Sequence, residues 1–288
     1  MTESSPSTYR GRVAPSPTGF LHLGHASTFW TAQERARGGS LVLRIEDLDA
    51  TRCRAEFRAA IPEDLQWLGI EWQEGPDMGG QSAPYEQSGR DYLPAWRWLR
   101  DAGLIYPCTC SRRDVLCALS APHGEEQPDK DEPLYPGTCR HWLAEARNFE
   151  NPAGVNWRFR VPDGEKICFR DGRASKLRAT AGRDFGDFIV WRKDNIPSYQ
   201  LAVVTDDAAM AITEVVRGED LLRSTFRQIL LYRALGYAEP AWYHCPLVRD
   251  AEGRRLGKRH DSLSLRELRK AGADPARLRQ QFAAPATP

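Results

Sequence analysis

Two histidines follow a stretch rich in proline and glycine in the segment RVAPSPTGFLHLGHAS, residues 12–27. The prolines and glycines predict a tight turn, and residues 28–37 after it have the composition of a helix. The first turn of a helix presents unpaired N–H groups and the positive end of the helix dipole, so it can bind an anion. His22 and His25 face the same side, where both imidazoles can hydrogen-bond phosphate oxygens, and Gly24 leaves space for a base or ribose. This spacing predicts a phosphate site, with two incidental histidines in a proline-rich loop as the alternative.

A second candidate for chemistry is the segment 104–142, which holds four cysteines and two histidines. Seven cysteines in a chain of 288 residues do not indicate a disulfide scaffold, so the close pair Cys108 and Cys110 favours metal binding or reduced thiols. Buried free thiols are the alternative, because this spacing is less specific than a CxxC…CxxC pattern. The rival ligands in the same segment are Cys117, His123 and His141.

Composition limits where these groups can act. The chain has 41% hydrophobic residues in 288, enough to bury one large core or two ordinary ones. Lys and Arg number 40 against 39 Asp and Glu, so any site for a polyanion must be a local basic patch. No stretch approaches the length of a membrane span, and the polar start is unlike a signal peptide. We therefore expect a cytoplasmic protein with no membrane partner, and a monomer.

Strand-like and helix-like segments alternate along the chain, which predicts an α/β fold with a parallel sheet. Residues 11–14 are predicted to form a short buried strand. Residues 40–49 (SLVLRIEDLD) begin apolar and end acidic, like a parallel strand with carboxylates at its C-terminal edge. The other predicted elements are helices at 54–68, 90–102 and 224–235, β-rich segments at 156–161 and 185–221, and a loop-rich insert at 104–142 without a helical or strand period.

Five segments, in chain order, resemble the signatures of the class I aminoacyl-tRNA synthetases in the form used by the glutamyl and glutaminyl branch. They are PSPTGFLHLGH (15–25), RIEDLD (44–49), YQLAVVTDD (199–207), VVRGEDLLRST (215–225) and RLGKR (255–259). The resemblance covers roughly residues 10–260, and five ordered motifs are far more specific than one. It implies a class I Rossmann-type parallel sheet, a ligase that activates an amino acid with ATP, and Mg²⁺ bound with the ATP.

The resemblance also implies a role for individual residues. The implied catalytic residues are His22, His25 and Lys258, and the implied ATP-binding residues are these three with Gly24. The implied amino-acid pocket consists of Arg12, Val13, Ala14, Pro15, Ser16, Glu46, Tyr199 and Arg217. In glutamine-specific relatives the position of Arg217 is not arginine, and a guanidinium suits a carboxylate, so L-glutamate is implied as the substrate. A salt bridge from Arg217 to Glu219 or Asp220 is the alternative.

The second ATP signature of the family is usually Lys-(Met/Leu)-Ser-Lys, and this chain departs from it. Arg255 and Gly257 replace the first lysine and the serine, which puts the closure of this loop in doubt. Lys258 occupies the position of the second lysine, and the resemblance implies that it stabilises charge on the reacting phosphate.

Cys108, Cys110, Tyr135 and Cys139 resemble the zinc site of a small subfamily, the glutamyl-queuosine tRNA(Asp) synthetases. The resemblance implies one structural Zn²⁺ held by these four residues. The chain ends 30 residues after Lys258, where a full glutamyl-tRNA synthetase continues into an anticodon-reading region, and that subfamily shares the short C-terminus. We therefore expect tRNA-independent formation of glutamyl-adenylate and transfer of glutamate to the queuosine base of tRNA(Asp). The alternatives are a minimal enzyme that charges tRNA(Glu), a glutamine-specific relative, and an inactive synthetase-like module that binds tRNA or a protein.

The resemblance and the element pattern together predict the domain organisation. The tRNA must meet local basic surface, for which 249–259 and 266–279 are candidates, although such runs are usually solvated helix faces. No role is predicted for the acidic stretch 124–133. The predicted parts are a disordered N-terminus (1–9), the first half of the Rossmann domain (10–103), a zinc-bearing insert (104–150), the second half of the domain (151–240), and a lysine loop with a short helical region and no anticodon-binding domain (241–288).

Overall fold

A computed structural model of the chain describes residues 9–111, 113–115, 134–248 and 264–283. The strands in these ranges are β1 (Arg10–Val13), β2 (Ser40–Leu43), β3 (Ile105–Cys108), β4 (Asn156–Phe159), β5 (Lys166–Asp171), β6 (Ser175–Thr180), β7 (Phe188–Trp191), β8 (Glu214–Gly218) and β9 (Ala241–Cys245). The α-helices are α1 (Leu23–Arg35), α2 (Ala55–Trp67), α3 (Leu93–Asp101), α4 (Tyr199–Ala209), α5 (Leu222–Leu235), α6 (Leu265–Lys270) and α7 (Pro275–Ala283). Short 3₁₀ turns lie at Gln87–Gly89, Arg140–Leu143, Glu145–Asn148 and Glu219–Leu221.

Parallel strands form the centre of the fold. Strand β1 pairs in parallel with β2, and β8 pairs in parallel with β9. Strand β1 also lies beside β8, because the Thr213 N–H donates to the Arg10 carbonyl at 2.8 Å. Helix α1 packs on this group through Ala26, Phe29 and Ala32, which lie on one face of the helix. This arrangement agrees with the Rossmann-like core predicted from the alternating strands and helices.

Antiparallel pairing forms a second sheet of β3, β4 and β7. The segment 104–142 was expected to lack strands, and β3 within it shows that this expectation was wrong. All four residues of β3 are buried, so a run this short carries no period that sequence reasoning could detect. The sheet joins residues from two of the predicted parts, 104–150 and 151–240, and the proposed boundaries stay predictions.

The two larger apolar clusters among the described residues support these sheets. One contains Trp96 and Trp157, whose rings pack edge to face with their centroids 4.9 Å apart, and the other surrounds α1 and the first parallel strands. None of the described helices is long and apolar enough to cross a membrane.

Helix α6 packs against α2 through charged residues. Arg269 Nη2 donates to Glu63 at 2.8 Å and lies 3.6 Å from Asp64 Oδ1. Asp64 is 0% exposed, and neither of its carboxylate oxygens has a hydrogen-bond partner among the described residues. Burial raises the pKa of Asp64 to about 6. Compared with unfolding, folding therefore shifts this carboxyl group toward its protonated form.

We predict that Asp64→Asn stabilises the fold at neutral and higher pH. A carboxyl pKa raised by folding means that wild-type stability falls as pH rises from the ordinary pKa through the raised one, and stays low above it. The free energy of unfolding of the variant should exceed that of wild type by about 1–3 kcal/mol near pH 8, and by much less near pH 4. Urea denaturation at the two pH values measures this difference.

The control for that measurement is Glu63→Gln, which changes a neighbouring carboxylate that is exposed and bonded to the same arginine. This variant should change the free energy of unfolding by no more than about 1 kcal/mol at either pH. A gain for Asp64→Asn that is equal at both pH values would contradict the assigned cause.

Candidate active site

The turn between β1 and α1 is held by backbone hydrogen bonds from the chain after β2. The Glu46 N–H donates to the Pro15 carbonyl and the Arg54 N–H donates to the Pro17 carbonyl, each at 3.0 Å. Proline has no N–H, so these residues take part only as acceptors. Of the predicted pocket residues in and before this turn, Val13 and Pro15 are buried, Ala14 is half-buried and Ser16 is exposed. Glu46 therefore lies beside the first residues of this turn, directly after β1.

His22 and His25 cap the first turn of α1. The Gly24 N–H donates to His22 Nδ1 at 3.1 Å, the His22 N–H donates to His25 Nδ1 at 3.3 Å, and the ring centroids are 3.8 Å apart. A Cβ on Gly24 would lie 2.9 Å from the His22 ring, so glycine is required here by the cap itself. Because Nδ1 accepts in each ring, the neutral imidazole carries its proton on Nε2, which is the donor that a phosphate oxygen requires.

Asp207 joins two arginines behind this turn. Arg44 Nη1 and Arg12 Nε donate to the same carboxylate oxygen, Asp207 Oδ1, at 2.6 and 3.2 Å. Arg44 Nη2 also donates to Glu46 at 3.1 Å, and Arg12 Nη1 donates to the Val216 carbonyl at 2.9 Å. These contacts bring β1, the segment after β2, α4 and β8 together at one buried point.

The charges of this cluster are set by burial and by the two arginines. Desolvation acts against the charge of Asp207, but Arg44 and Arg12 outweigh it and lower the pKa of this carboxyl. Desolvation raises the pKa of Glu46, and Arg44 and Arg12 offset it only in part. Asp207 is thus a fixed anion, whereas the nearby arginines compensate the burial of the Glu46 carboxylate only in part.

Arg217 lies on β8 and is 4% exposed. Its guanidinium donates to Gln228 Oε1 at 2.7 Å, to Thr225 Oγ1 at 2.8 Å and to His244 Nε2 at 3.2 Å. The guanidinium carbon also lies over the face of the Trp242 ring, 5.1 Å from the ring centroid. All of these partners are neutral side chains.

The expected alternative for Arg217 was a salt bridge to Glu219 or Asp220. Glu219 instead pairs with Arg173. No acidic side chain in the described part of the chain forms an ion pair with Arg217 within 4.0 Å. Desolvation accordingly lowers the pKa of this arginine. A buried cation without an anionic partner is costly unless a ligand supplies the anion.

Tyr199, at the start of α4, is the remaining predicted pocket residue. It is 37% exposed and makes a hydrogen bond with Arg217. The structure therefore brings four of the predicted pocket residues close enough to Asp207 to interact through their charges or hydrogen bonds. They are Arg12, Glu46, Tyr199 and Arg217.

Three thiols and one phenol meet beside β3. The Tyr135 hydroxyl lies 3.4 Å from the sulfurs of Cys108 and Cys110, and the sulfurs of Cys110 and Cys139 are 3.5 Å apart. The three sulfurs all lie within 4.8 Å of one another, a separation that a single metal ion can bridge. Burial raises the pKa of Cys110 to about 11, whereas hydrogen bonds from its neighbours outweigh desolvation and lower the pKa of Cys139. The cluster thus has the ligand types and the closeness that tetrahedral zinc requires.

The arginine of β4 covers this cluster. Arg158 Nε donates to Cys108 Sγ at 3.2 Å, and its guanidinium carbon lies 3.9 Å from the centre of the Tyr135 ring. The cluster therefore has a buried cation in direct contact with one of its thiols and with the face of its phenol ring. Among the rival ligands, His141 bonds instead to the Thr138 carbonyl, and Cys117 and His123 lie outside the described residues.

The lysine loop also lies outside the described residues, including Arg255, Gly257 and Lys258. The described chain resumes at Ser264, which forms a β-bridge with His22. The Leu265 N–H donates to the Leu21 carbonyl at 2.7 Å. The chain that follows the loop therefore returns to the start of α1.

Sequence reasoning missed three residues that organise this site. Arg44 and Asp207 lie within two of the motifs, but no role is predicted for either. Their position next to apolar runs is a signal that both side chains are buried and paired. His244 had no signal at all, since it stands alone in the apolar strand β9.

Comparison with known proteins identifies the family of this chain. The profile of the family described as class I tRNA synthetases (E and Q), catalytic domain, matches residues 8–283. The chain is 48% identical over 271 residues to a glutamyl-Q tRNA(Asp) synthetase from Symbiobacterium thermophilum, covering 92% of this chain and 82% of the relative. A glutamyl-Q tRNA(Asp) synthetase from Nitratidesulfovibrio vulgaris is 46% identical over 276 residues, covering 93% and 83%.

A solved structure shows the same fold. The crystal structure of a glutamate-tRNA synthetase from Elizabethkingia anophelis matches with a TM-score of 0.72 and 29% identity, covering 92% of this chain. This chain spans 54% of that longer protein.

These comparisons confirm the resemblance predicted from the five ordered motifs, together with the class I fold, its Rossmann-like core and the assignment to the ligases. The zinc-bearing insert stays a prediction. The chain belongs to the class I tRNA synthetases of the glutamate and glutamine (E and Q) branch.

Proposed function

We propose that this chain activates L-glutamate with ATP, without tRNA, and transfers it to the queuosine base at the wobble position of tRNA(Asp). The observation that carries the choice of glutamate is Arg217, a buried cation whose protein partners are all neutral. A side-chain carboxylate entering the pocket supplies the missing anion, whereas the neutral amide of glutamine does not. Glu46, which has only partial compensation for its charge, is suited to the substrate ammonium.

The first step forms an acyl-adenylate. The α-carboxylate of glutamate attacks the α-phosphorus of ATP in line, and pyrophosphate leaves. Little acid–base chemistry is needed, so positioning and neutralisation of phosphate charge supply most of the rate. We assign these tasks to the Nε2–H groups of His22 and His25, to Lys258, and to the Mg²⁺ that enters with ATP.

The second step transfers the glutamyl group. A hydroxyl of the cyclopentenediol ring of queuosine attacks the activated carbonyl carbon, AMP leaves with the bonding electron pair, and the hydroxyl proton passes to the phosphate of AMP or to water. Similarity to two glutamyl-Q tRNA(Asp) synthetases, covering more than four-fifths of each, supports this acceptor. The tRNA partner, like a monomeric state, stays a proposal.

We also propose that Cys108, Cys110, Tyr135 and Cys139 hold one structural Zn²⁺. A bound ion would cross-link β3 to the chain around residue 139. Arg158 offsets part of the negative charge of the ligands through its bond to Cys108.

Arg217→Ala should abolish activation of glutamate, because Arg12, the other arginine of the implied pocket, is already paired with Asp207. ATP–pyrophosphate exchange with glutamate and no RNA measures this step, and we expect kcat/KM to fall by more than about 1000-fold. Arg233→Ala, an exposed arginine that pairs with Glu165, serves as the matched control and should exchange normally. Unchanged kinetics in Arg217→Ala would refute the pocket assignment, and no exchange by the wild-type chain would refute the function.

The acceptor can be tested with defined RNA. Labelled glutamate should be transferred to tRNA(Asp) that contains queuosine, and not to the same tRNA with unmodified guanine at the wobble position. Transfer of glutamate to tRNA(Glu) that does not depend on queuosine would instead identify a minimal tRNA(Glu)-charging enzyme.

Zinc binding can be tested by elemental analysis. The purified chain should hold about one Zn²⁺, and Cys110→Ser should lose most of it, because a hydroxyl is a poor substitute for a thiolate ligand. Cys168→Ser, at an exposed cysteine outside the cluster, should keep the metal. Equal zinc content in the two variants would contradict the assigned ligands.

A further inference from the structure

Three neighbouring strands place Asp171, His244 and Arg217 in a row. Arg217 on β8 lies opposite His244 on β9, and β5 joins β9 at the pair Asp171 and Trp242. His244 is 0% exposed and lies between the other two side chains. Its Nδ1 is 2.6 Å from Asp171 Oδ2, and its Nε2 is 3.2 Å from Arg217 Nε.

The charges at both ends of this row assign the proton on the ring. Asp171 is an anion, because backbone and side-chain hydrogen bonds lower the pKa of its carboxyl in spite of desolvation. His244 Nδ1 therefore carries the ring proton and donates a hydrogen bond to Asp171. Arg217 can only donate, so His244 Nε2 must be the acceptor. Desolvation and the nearby Arg217 lower the pKa of His244 to about 4, which keeps the ring neutral at physiological pH.

The remaining bonds fit the same assignment. The Thr225 hydroxyl lies 3.0 Å from His244 Nε2 and 2.8 Å from Arg217 Nη2, so it donates to the ring and accepts from the arginine. The Asp171 carboxylate also accepts the backbone N–H groups of Arg173, Ala174 and His244. Both oxygens of the Asp171 carboxylate therefore accept hydrogen bonds, and the neutral ring of His244 lies between this carboxylate and Arg217.

We propose that His244 is a positioning residue that holds Arg217 through a neutral acceptor and thereby keeps its charge available for the substrate carboxylate. This inference rests on the proposed activation of glutamate. A carboxylate in the place of His244 would hold the arginine equally well but would compete with the substrate for it. An apolar residue would leave Arg217 Nε without a partner, so that the guanidinium would be held by Gln228 and Thr225 at its Nη atoms only.

The proposal makes a specific kinetic prediction for His244→Leu. Its KM for glutamate in ATP–pyrophosphate exchange should rise by about 10- to 100-fold, the loss expected for a hydrogen bond to a charged group. Its kcat and its KM for ATP should change by less than about 3-fold, because the ring touches neither phosphate nor the reacting carboxylate. His244→Gln, whose side-chain carbonyl can still accept from Arg217, should recover most of the lost affinity.

A second pair of variants covers the case in which His244→Leu does not fold. Thr225→Val removes the hydroxyl between Arg217 and His244, and should raise the KM for glutamate by about 3- to 10-fold. Thr205→Val is the matched control, since it removes a threonine hydroxyl of a neighbouring helix that donates to the Leu201 carbonyl, and in the described part of the chain this hydroxyl bonds neither Arg217 nor His244. Equal KM values in the two threonine variants would overturn the proposal.

A spectroscopic readout does not depend on activity. In ¹⁵N NMR spectra the His244 ring, identified by its loss in His244→Gln, should be neutral with the proton on Nδ1 at about pH 7. A proton on Nε2 would overturn the proposal. Wild-type exchange together with unchanged KM values in every variant would overturn the role of His244 alone, whereas a wild-type chain without exchange would overturn the proposed function as well.

Discussion

The carboxylate of Asp207, shared by Arg12 and Arg44, is the contact on which the rest of the site depends. Each arginine comes from a different parallel strand or its end, and Asp207 comes from α4. Burying such a group is costly, and removing one member would leave an uncompensated charge inside the fold. Because the three charges must meet, the carboxyl ends of β1 and β2 and the helix α4 are fixed relative to one another. That fixed frame is the place where open α/β sheets bind their ligands.

The arginines of the site therefore divide into two kinds. Arg12 and Arg44 are paired with acids, since both contact Asp207 and Arg44 also contacts Glu46, and they serve the architecture. Arg217 donates to a histidine, a glutamine and a threonine, and none of these hydrogen-bond partners is an acid. The same residue type thus performs opposite tasks within one buried cluster. The difference lies in whether the partner of the guanidinium is charged or neutral.

Sequence predicted the parts of this molecule that depend on neighbouring residues. The helices α2, α3 and α5 lie within three residues of their expected ends, and the turn before α1 lies where prolines and glycines indicated it. Strand β3 could not be predicted, because its four residues are all buried and show no alternation. The row of Asp171, His244 and Arg217 was also beyond reach, since it spans 73 positions and depends on strand pairings that no local pattern encodes. The role of Lys258 stays a prediction.

The histidine cap at the start of α1 also affects how substitutions in this turn would be interpreted. His22 and His25 each accept a backbone N–H at the helix end, so replacing either with alanine would fray the first turn as well as remove a donor to phosphate. Loss of turnover alone would not distinguish the frayed helix end from the lost hydrogen-bond donor. Asparagine at position 22 would be the more informative exchange, because its short amide can still close the helix while the reach of the imidazole is lost.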